Sequence, residues 1–541
     1  MKRKYAARLL AMLTCMMVFS GCSKTETKTP VETEGAMKEY VEETTDAEEK
    51  SEVKKELCPL TISLKKTYAY DMDDDTILSY HNFTEAALAE ADAEKLPELS
   101  AALAEYSTER KEEASRSYEM LLEDAQDTYD ELFEHESDTT CDMAMEPHSL
   151  ENDILVRRAD STVVSFLEEE TSFGGGACSN SDYRGVTFDA AAGQRLELTE
   201  VITDISALPE FLGQKLRKNY PELTLSGLGE YLDRAMAAGG EEFSWTLGYD
   251  GITFYFSPYD MASDIDALLT ASIGFMEMPE LFVEKYTMVP EEYTVCFGMA
   301  ETLEFNLDED AALEQLQVRF EADEWGSFTS VMITLDGREF LDEEYYAFQG
   351  QPYLVRANGR YYLYLDGTAE NDYRVMRVYE LNSKELFPVE TLWSAGVHSL
   401  YLSDGTFITE LPTNPNRFVL DSRMDALSTA TAGRVYHVGT DGLPEAETEY
   451  YTLNHEIVLK SKIPLTVDVV NPDAGEILEP AAELPAGTRL MLYQTDNQTY
   501  ADMRLEDGRV CRFAVDLSNG WPQMVNGMDA EACFDGMIFA G

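Results

Sequence analysis

The sequence predicts an α+β module over residues 58–290, a β-rich region over 291–462 and a small β-barrel over 463–541. Three observations carry this expectation. Between Phe83 and Phe133 apolar residues recur at three- and four-residue steps, as Leu96, Leu99, Leu103 and Tyr106, then as Tyr118, Leu121, Leu122, Ala125, Tyr129 and Leu132. Such stripes face the core from one or two long helices. Around them lie short runs such as Thr61-Ile62-Ser63-Leu64 and Ser161 to Leu167, which alternate or stay apolar over strand length. Beyond about 290 helical periodicity thins, and Asp-Gly or Asn-Gly pairs begin at Asp336, Asn358, Asp366, Asp404, Asp441 and Asp507, the turn chemistry of β-hairpins.

The chain opens with Lys2, Arg3, Lys4 and Arg8, an apolar run from Leu9 to Phe19, then Ser20-Gly21-Cys22. A charged start, a short apolar core and small residues before a cut read as a signal peptide over residues 1–21. The apolar core is too short to span a bilayer stably. The ending resembles the bacterial lipobox, with Phe19 standing where leucine is usual. That resemblance implies cleavage before Cys22, acylation of its thiol by a palmitate-type chain, and a mature lipoprotein anchored on the extracellular face of the cell membrane. Residues 22–57 are rich in Thr, Glu and Lys and poor in large apolar side chains. They read as a disordered acidic tether.

The chain carries 103 acidic and 41 basic residues, a net charge of −62. Nucleic acid is excluded as a partner, because phosphate recognition needs basic patches. Direct contact with anionic lipid is disfavoured, whereas a cationic ligand is drawn in. Apart from Cys15 and Cys22, the cysteines are Cys58, Cys141, Cys178, Cys296, Cys511 and Cys533. None forms a C-x-x-C pair, so neither a zinc knuckle nor a redox motif is supported. Cys511 and Cys533 fall in one C-terminal unit, either bridged or as two buried thiols.

After the strand at Thr61, the run Asp71, Asp73, Asp74, Asp75 starts like a calcium loop. Its sixth position is Thr76 instead of Gly and its twelfth is Asn82 instead of Glu, which rejects an EF-hand. Strands follow at Asp153 to Val156 and Ser161 to Leu167. A loop at Gly174-Gly175-Gly176-Ala177 leads to strands from Tyr183 to Asp189 and from Arg195 to Leu198. Helices are expected around Ile205 to Leu216 and Leu225 to Ala238. Phe243 to Leu247 and Ile252 to Phe256 make a hairpin about Asp250-Gly251. In the last region, Pro485-Ala486-Gly487-Thr488 turns into Leu490 to Tyr493, and Met503 to Leu505 pairs through Asp507-Gly508 with Cys511 to Phe513. By fold-level analogy this is an SH3-like barrel.

Three stretches carry a wider resemblance: Leu96 to Leu121 (LPELSAALAEYSTERKEEASRSYEML), Thr171 to Ile202 (TSFGGGACSNSDYRGVTFDAAAGQRLELTEVI) and Phe243 to Leu281, with its Asp-Gly hairpin and Pro-Tyr exit. In order and spacing, residues 58–290 resemble the extracellular module of RsiV-type anti-sigma factors. The same module precedes the catalytic domain of PdaC-type peptidoglycan deacetylases. The resemblance implies ligand contact at Gly175, Gly176, Ala177 and Cys178, although family members often place a histidine where this chain has Cys178. Read as residues alone, the glycines permit a sharp turn, and no Walker Lys-Ser/Thr follows to make a phosphate cradle.

The chain has six histidines, with no H-E-x-x-H, and no G-x-S-x-G elbow. No catalytic residue, metal or cofactor is expected. Acidic neighbours such as Glu168 and Glu169 keep a glycosidase-type pair as the alternative. The expected protein is therefore a non-catalytic cell-envelope lipoprotein that binds a cationic extracellular protein (lysozyme, as the RsiV resemblance implies) or a cell-wall glycan. The alternative is a peptidoglycan-acting hydrolase that uses the module for targeting.

Overall fold

The computed structural model describes residues 56–71, 76–134, 146–176, 179–257, 268–299, 301–369, 373–382, 386–518 and 520–540. The expected signal peptide, Cys22 and the tether up to residue 55 lie outside these residues, as do Asp73, Asp74, Asp75, Ala177 and Cys178, while Leu57, expected at the end of the tether, is bridged to Asp160.

Six strands build most of the first sheet: β1 (Leu60–Tyr70), β2 (Ile77–Leu88), β3 (His148–Ala159), β4 (Val163–Phe173), β5 (Asn180–Asp189) and β6 (Gln194–Arg195). They stand side by side in that order, and the hairpin Ser399–Tyr401 and Thr406–Glu410 extends the sheet beyond β1. All pairs are antiparallel except β2 and β3, where Ser79 faces His148 in parallel register. A parallel pair requires a crossover connection. The helix α1 (Pro97–Glu134) provides it. Proline suits a helix start, since its missing N–H has no partner to lose there. α1 buries Leu99, Leu103, Arg110, Ala114, Ala125 and Tyr129, a single stripe at helical spacing. The helix begins later than the sequence suggests. Phe83 to Leu88 belong to β2, where buried Ala86 and Leu88 flank exposed Ala87 in the alternation of a strand. Leu132, read as part of the stripe, is exposed.

A second layer packs α2 (Leu208–Asn219) and α3 (Leu228–Ala237) on a three-stranded sheet, Ser244–Leu247, Gly251–Phe256 and Leu269–Gly274. Leu212, Leu216, Tyr231, Leu232, Phe254 and Ile273 fill the space between them. The expected hairpin forms, but Tyr249 and Asp250 make its turn and Gly251 begins the second strand.

The fold class differs from the expectation of an α+β module followed by an SH3-like barrel. Among the described residues strands occupy 50% and helices 18%, so this part of the protein is mostly β. Two long-range pairings explain the difference. Leu64 in β1 pairs with Phe407, which ties the first sheet to a strand far along the chain. Strand Tyr451–Ser461 pairs both with Ala430–Val438 and with Arg489–Thr495. The C-terminal strands therefore continue a 13-stranded sheet begun in the preceding region, curling into a half-barrel, and do not close on themselves. One core joins Val156 and Phe166 of the first sheet, Leu99 of α1, and Tyr364, Met376 and Val378 of a five-stranded sheet. Cys511 and Cys533 are buried free thiols. Among the described residues no helix is long and apolar enough to cross a membrane.

Candidate functional site

A polar cleft lies between α1 and the face of the first sheet. Strand periodicity of two puts Glu168 and Glu170 of β4 on one face, and Asp182 and Arg184 of β5 on the same face. Register then aligns them in rows: Glu168 opposite Arg184, Glu170 opposite Asp182, and Asn152 of β3 opposite Glu170. Arg110, Glu113 and Ala114 of α1 cover the rows from above. Ala114 is small, so room remains over the carboxylates. The cleft holds about 480 Å³, solvent at its mouth included.

The floor is held by charge. Glu168 lies 2.5 Å from Nε of Arg110, and both side chains are 5% exposed. Its other oxygen accepts from Tyr106 Oη at 2.9 Å and from Arg184 at 2.8 Å. Arg110 also donates to the Thr84 carbonyl and lies over the Phe83 ring. Burial, reinforced by the charge of Glu168, raises the Tyr106 hydroxyl above its ordinary range, so it remains a proton donor. Beside this group His81 donates from Nε2 to Asn152 Oδ1 at 2.9 Å, and Asn152 donates to Glu170 at 2.7 Å. Burial lowers the His81 imidazole, although its bond to Asn152 acts the other way.

The mouth is different. Glu113 and Asp182 are exposed there, and Arg184 is 43% exposed. On the cleft face stand four carboxylates, Glu113, Glu168, Glu170 and Asp182, and two guanidinium groups, a surplus of two negative charges.

The sequence-marked residues fall as follows. Glu168 and Glu169, adjacent in sequence, point to opposite faces. Glu169 accepts from Tyr183 on the far side and does not share a substrate position with Glu168. Gly175 has φ of +75°, and a Cβ there would stand 2.7 Å from Nε2 of His148. That imidazole is fully buried, and neither ring nitrogen has a hydrogen-bond partner. Asp124 of α1 comes within 3.7 Å of its Nδ1. The glycine thus lets the loop close over His148. Gly176, the next residue, is exposed. Sequence reading missed Arg110, Asn152, Arg184 and His148. Arg110 alone had a local signal, since it occupies a buried position of the α1 stripe, where arginine is rare unless paired.

A second cavity, bounded by Arg157, Tyr249, Asp250, Glu304 and Phe305, lies where four sheets meet. Arg157 is paired with Glu301 at 2.5 Å and donates to the Cys296 carbonyl, so its charge is used in packing.

No family model and no curated protein matches the sequence. Among solved structures, a member of the DUF3298 family from Bacteroides fragilis is similar at 16% identity, over 43% of this chain and 96% of that one, with a TM-score of 0.31. A DUF3298 family protein from Pseudomonas aeruginosa is similar at 11% identity, over 42% of this chain and 96% of that one, with a TM-score of 0.28.

Proposed function

We propose that the protein is a non-catalytic lipoprotein of the cell envelope that captures a cationic protein, with a basic side chain of the ligand seated in the α1 cleft. The observation that supports this reading is the charge arrangement of the cleft. Arg110 and Arg184 pair with Glu168, and Arg184 also meets Glu113 at 3.4 Å, while Asp182 at the exposed mouth leaves the cleft acidic. The net charge of −62 adds long-range attraction for such a ligand. Recognition fits better than hydrolysis because one oxygen of Glu168 accepts from Tyr106 and Arg184 and the other is held in an ion pair with Arg110. In this reading Cys22 carries the lipid.

The test is binding of lysozyme, as a cationic probe, at physiological salt. Replacing Glu113→Gln and Asp182→Asn together is expected to weaken binding by about 2- to 10-fold, the worth of two exposed charges. Replacing the remote exposed pair Asp473→Asn and Glu476→Gln leaves it nearly unchanged. Equal losses would assign the attraction to bulk charge and reject the cleft. Absence of any complex would reject the cationic-protein reading. Separately, Cys22→Ala is expected to move the protein from the membrane fraction into the medium.

A further inference from the structure

We propose that the loop between strands Thr302–Phe305 and Glu314–Ala322 is a calcium site, formed by Asn306, Asp308, Asp310 and Glu314. These strands are the first hairpin of a four-stranded sheet, with Phe305 opposite Glu314. The sequence Asn306-Leu307-Asp308-Glu309-Asp310-Ala311-Ala312-Leu313-Glu314 places side-chain oxygens at positions one, three, five and nine. The ligand atoms of Asp308, Asp310 and Glu314 all lie within 4.8 Å of one another. Oxygens bound to one calcium ion at about 2.3–2.6 Å can be no more than about 5 Å apart, so the three carboxylates already meet that limit.

Three carboxylates gathered this closely repel each other. Glu309 in the same loop is paired with Arg356. Among the described residues no ion pair within 4.0 Å engages Asp308, Asp310 or Glu314.

Asn306 supplies an independent sign of a ligand. The residue is 8% exposed. Its amide nitrogen donates to the Asp310 carbonyl of the loop at 2.7 Å and to Met276 Sδ at 3.4 Å. The amide oxygen, on the same planar group, is buried and among the described residues accepts no hydrogen bond. A buried acceptor without a donor is costly, and an asparagine carbonyl is a normal calcium ligand. The carboxylates are also positioned beforehand. Glu314 accepts from the Leu307 amide at 2.8 Å and Asp310 from the Ala312 amide at 2.6 Å.

The donor set is all oxygen, with no imidazole or thiolate, which selects a hard cation over zinc or copper. An open loop with exposed Asp308 and Asp310 suits the larger, geometrically tolerant calcium ion better than magnesium. With this exposure the affinity should fall near that of extracellular calcium modules, about 0.1–1 mM. Bound calcium would brace the hairpin whose Glu304 accepts from the Ser272 amide of the neighbouring sheet at 2.7 Å.

The experiment compares the chelator-treated full chain with its Asp308→Asn/Asp310→Asn variant, at constant ionic strength. Equilibrium dialysis with calcium should show one more ion bound per wild-type chain than per variant chain. Calcium should raise the wild-type Tm with a midpoint near about 0.1–1 mM, more effectively than magnesium. The variant should respond at least tenfold more weakly. Because the substitutions relieve repulsion, the variant folds without calcium. Equal binding by the two chains, or no saturable Tm shift in the wild type up to about 10 mM calcium, well above the range of such modules, overturns the proposal.

Discussion

Glu168→Gln is the substitution that most directly probes how the cleft is held together. It keeps the shape of the side chain and removes its charge. Arg110 would then remain 5% exposed beside a neutral amide, with the Thr84 carbonyl and the Phe83 ring as its other neighbours. Stranding one partner of a buried ion pair costs about 3–5 kcal/mol. The introduced amide oxygen can still lie against the Arg110 guanidinium, so the lower end, about 3 kcal/mol, is expected. Arg184 adds little, because it is 43% exposed and its pairing with Glu168 is screened by solvent. Removing both charges, as Arg110→Met with Glu168→Leu, should cost about 1 kcal/mol or less, since apolar replacement of an entire buried pair is often neutral or stabilising. Urea unfolding measures both values, and hydrogen exchange over 97–134 shows whether α1 is the element that loosens. If Glu168→Gln costs less than about 1 kcal/mol, or the double variant is as unstable as the single one, the ion pair is not what fastens the helix to the sheet.

Two further outcomes follow from local geometry. Gly175→Ala should destabilise by about 1–3 kcal/mol, because it strains a positive φ and drives a Cβ onto buried His148. Gly359→Ala has a similar φ of +69° with nothing within 4 Å and should cost only about 1 kcal/mol, a difference visible in thermal unfolding. At His398, burial disfavours the charged ring, but the 2.6 Å bond to buried Asp421 and its charge outweigh burial and raise the imidazole. A raised folded-state value stabilises the fold fully below the unfolded value of about 6.5, and that contribution disappears as pH climbs through the folded value. Asp366 is pushed up to about 6 by burial, with Arg374 partly opposing, so it acts with the same sign in a lower window, from about 3.9 to about 6. Urea midpoints for wild type and His398→Gln should therefore diverge at low pH and converge as pH rises past neutral. Parallel curves would exclude the His398–Asp421 pair as the source.

Turn chemistry was legible wherever it acts locally. Asp336-Gly337 and Asn358-Gly359 both adopt positive φ at two-residue hairpin turns, as such pairs require. Asp366-Gly367 has the same chemistry but lies within strand Arg360–Thr368. Its reason is distant: the Asp366 carboxylate accepts from the Val397 amide, and a Cβ at Gly367 would meet the Gln349 carbonyl at 2.8 Å. The sheet order escaped the sequence for a similar cause. The pairing of Leu64 with Phe407 depends on two strands matching across the fold, and neither strand carries a local mark of its partner. The cleft behaves likewise. Arg110 in an apolar stripe was a visible anomaly, but the alignment of Asn152, Glu170 and Asp182 exists only once the β3–β4–β5 register is fixed.

That register also separates two uses of the carboxylates that the sequence leaves mixed. A general acid or base must reach a reacting atom at hydrogen-bond distance. For Glu168 to do so it must release Arg110, Tyr106 or Arg184, and release of Arg110 alone costs about 3 kcal/mol before any bond is made. At the exposed mouth Asp182 bears no such cost, and Glu113 has only the half-exposed Arg184 to release, at 3.4 Å. A cationic group can approach Asp182 without displacing Arg110 from Glu168. Floor and mouth should consequently respond to mutation in opposite ways. Glu168→Gln lowers stability and leaves the charge at the mouth in place, while the Glu113 and Asp182 substitutions lower ligand affinity and leave unfolding unchanged. A single substitution at the mouth that lowered both together would mean that the cleft is one coupled network, and the division of labour between structure and recognition would fail with it.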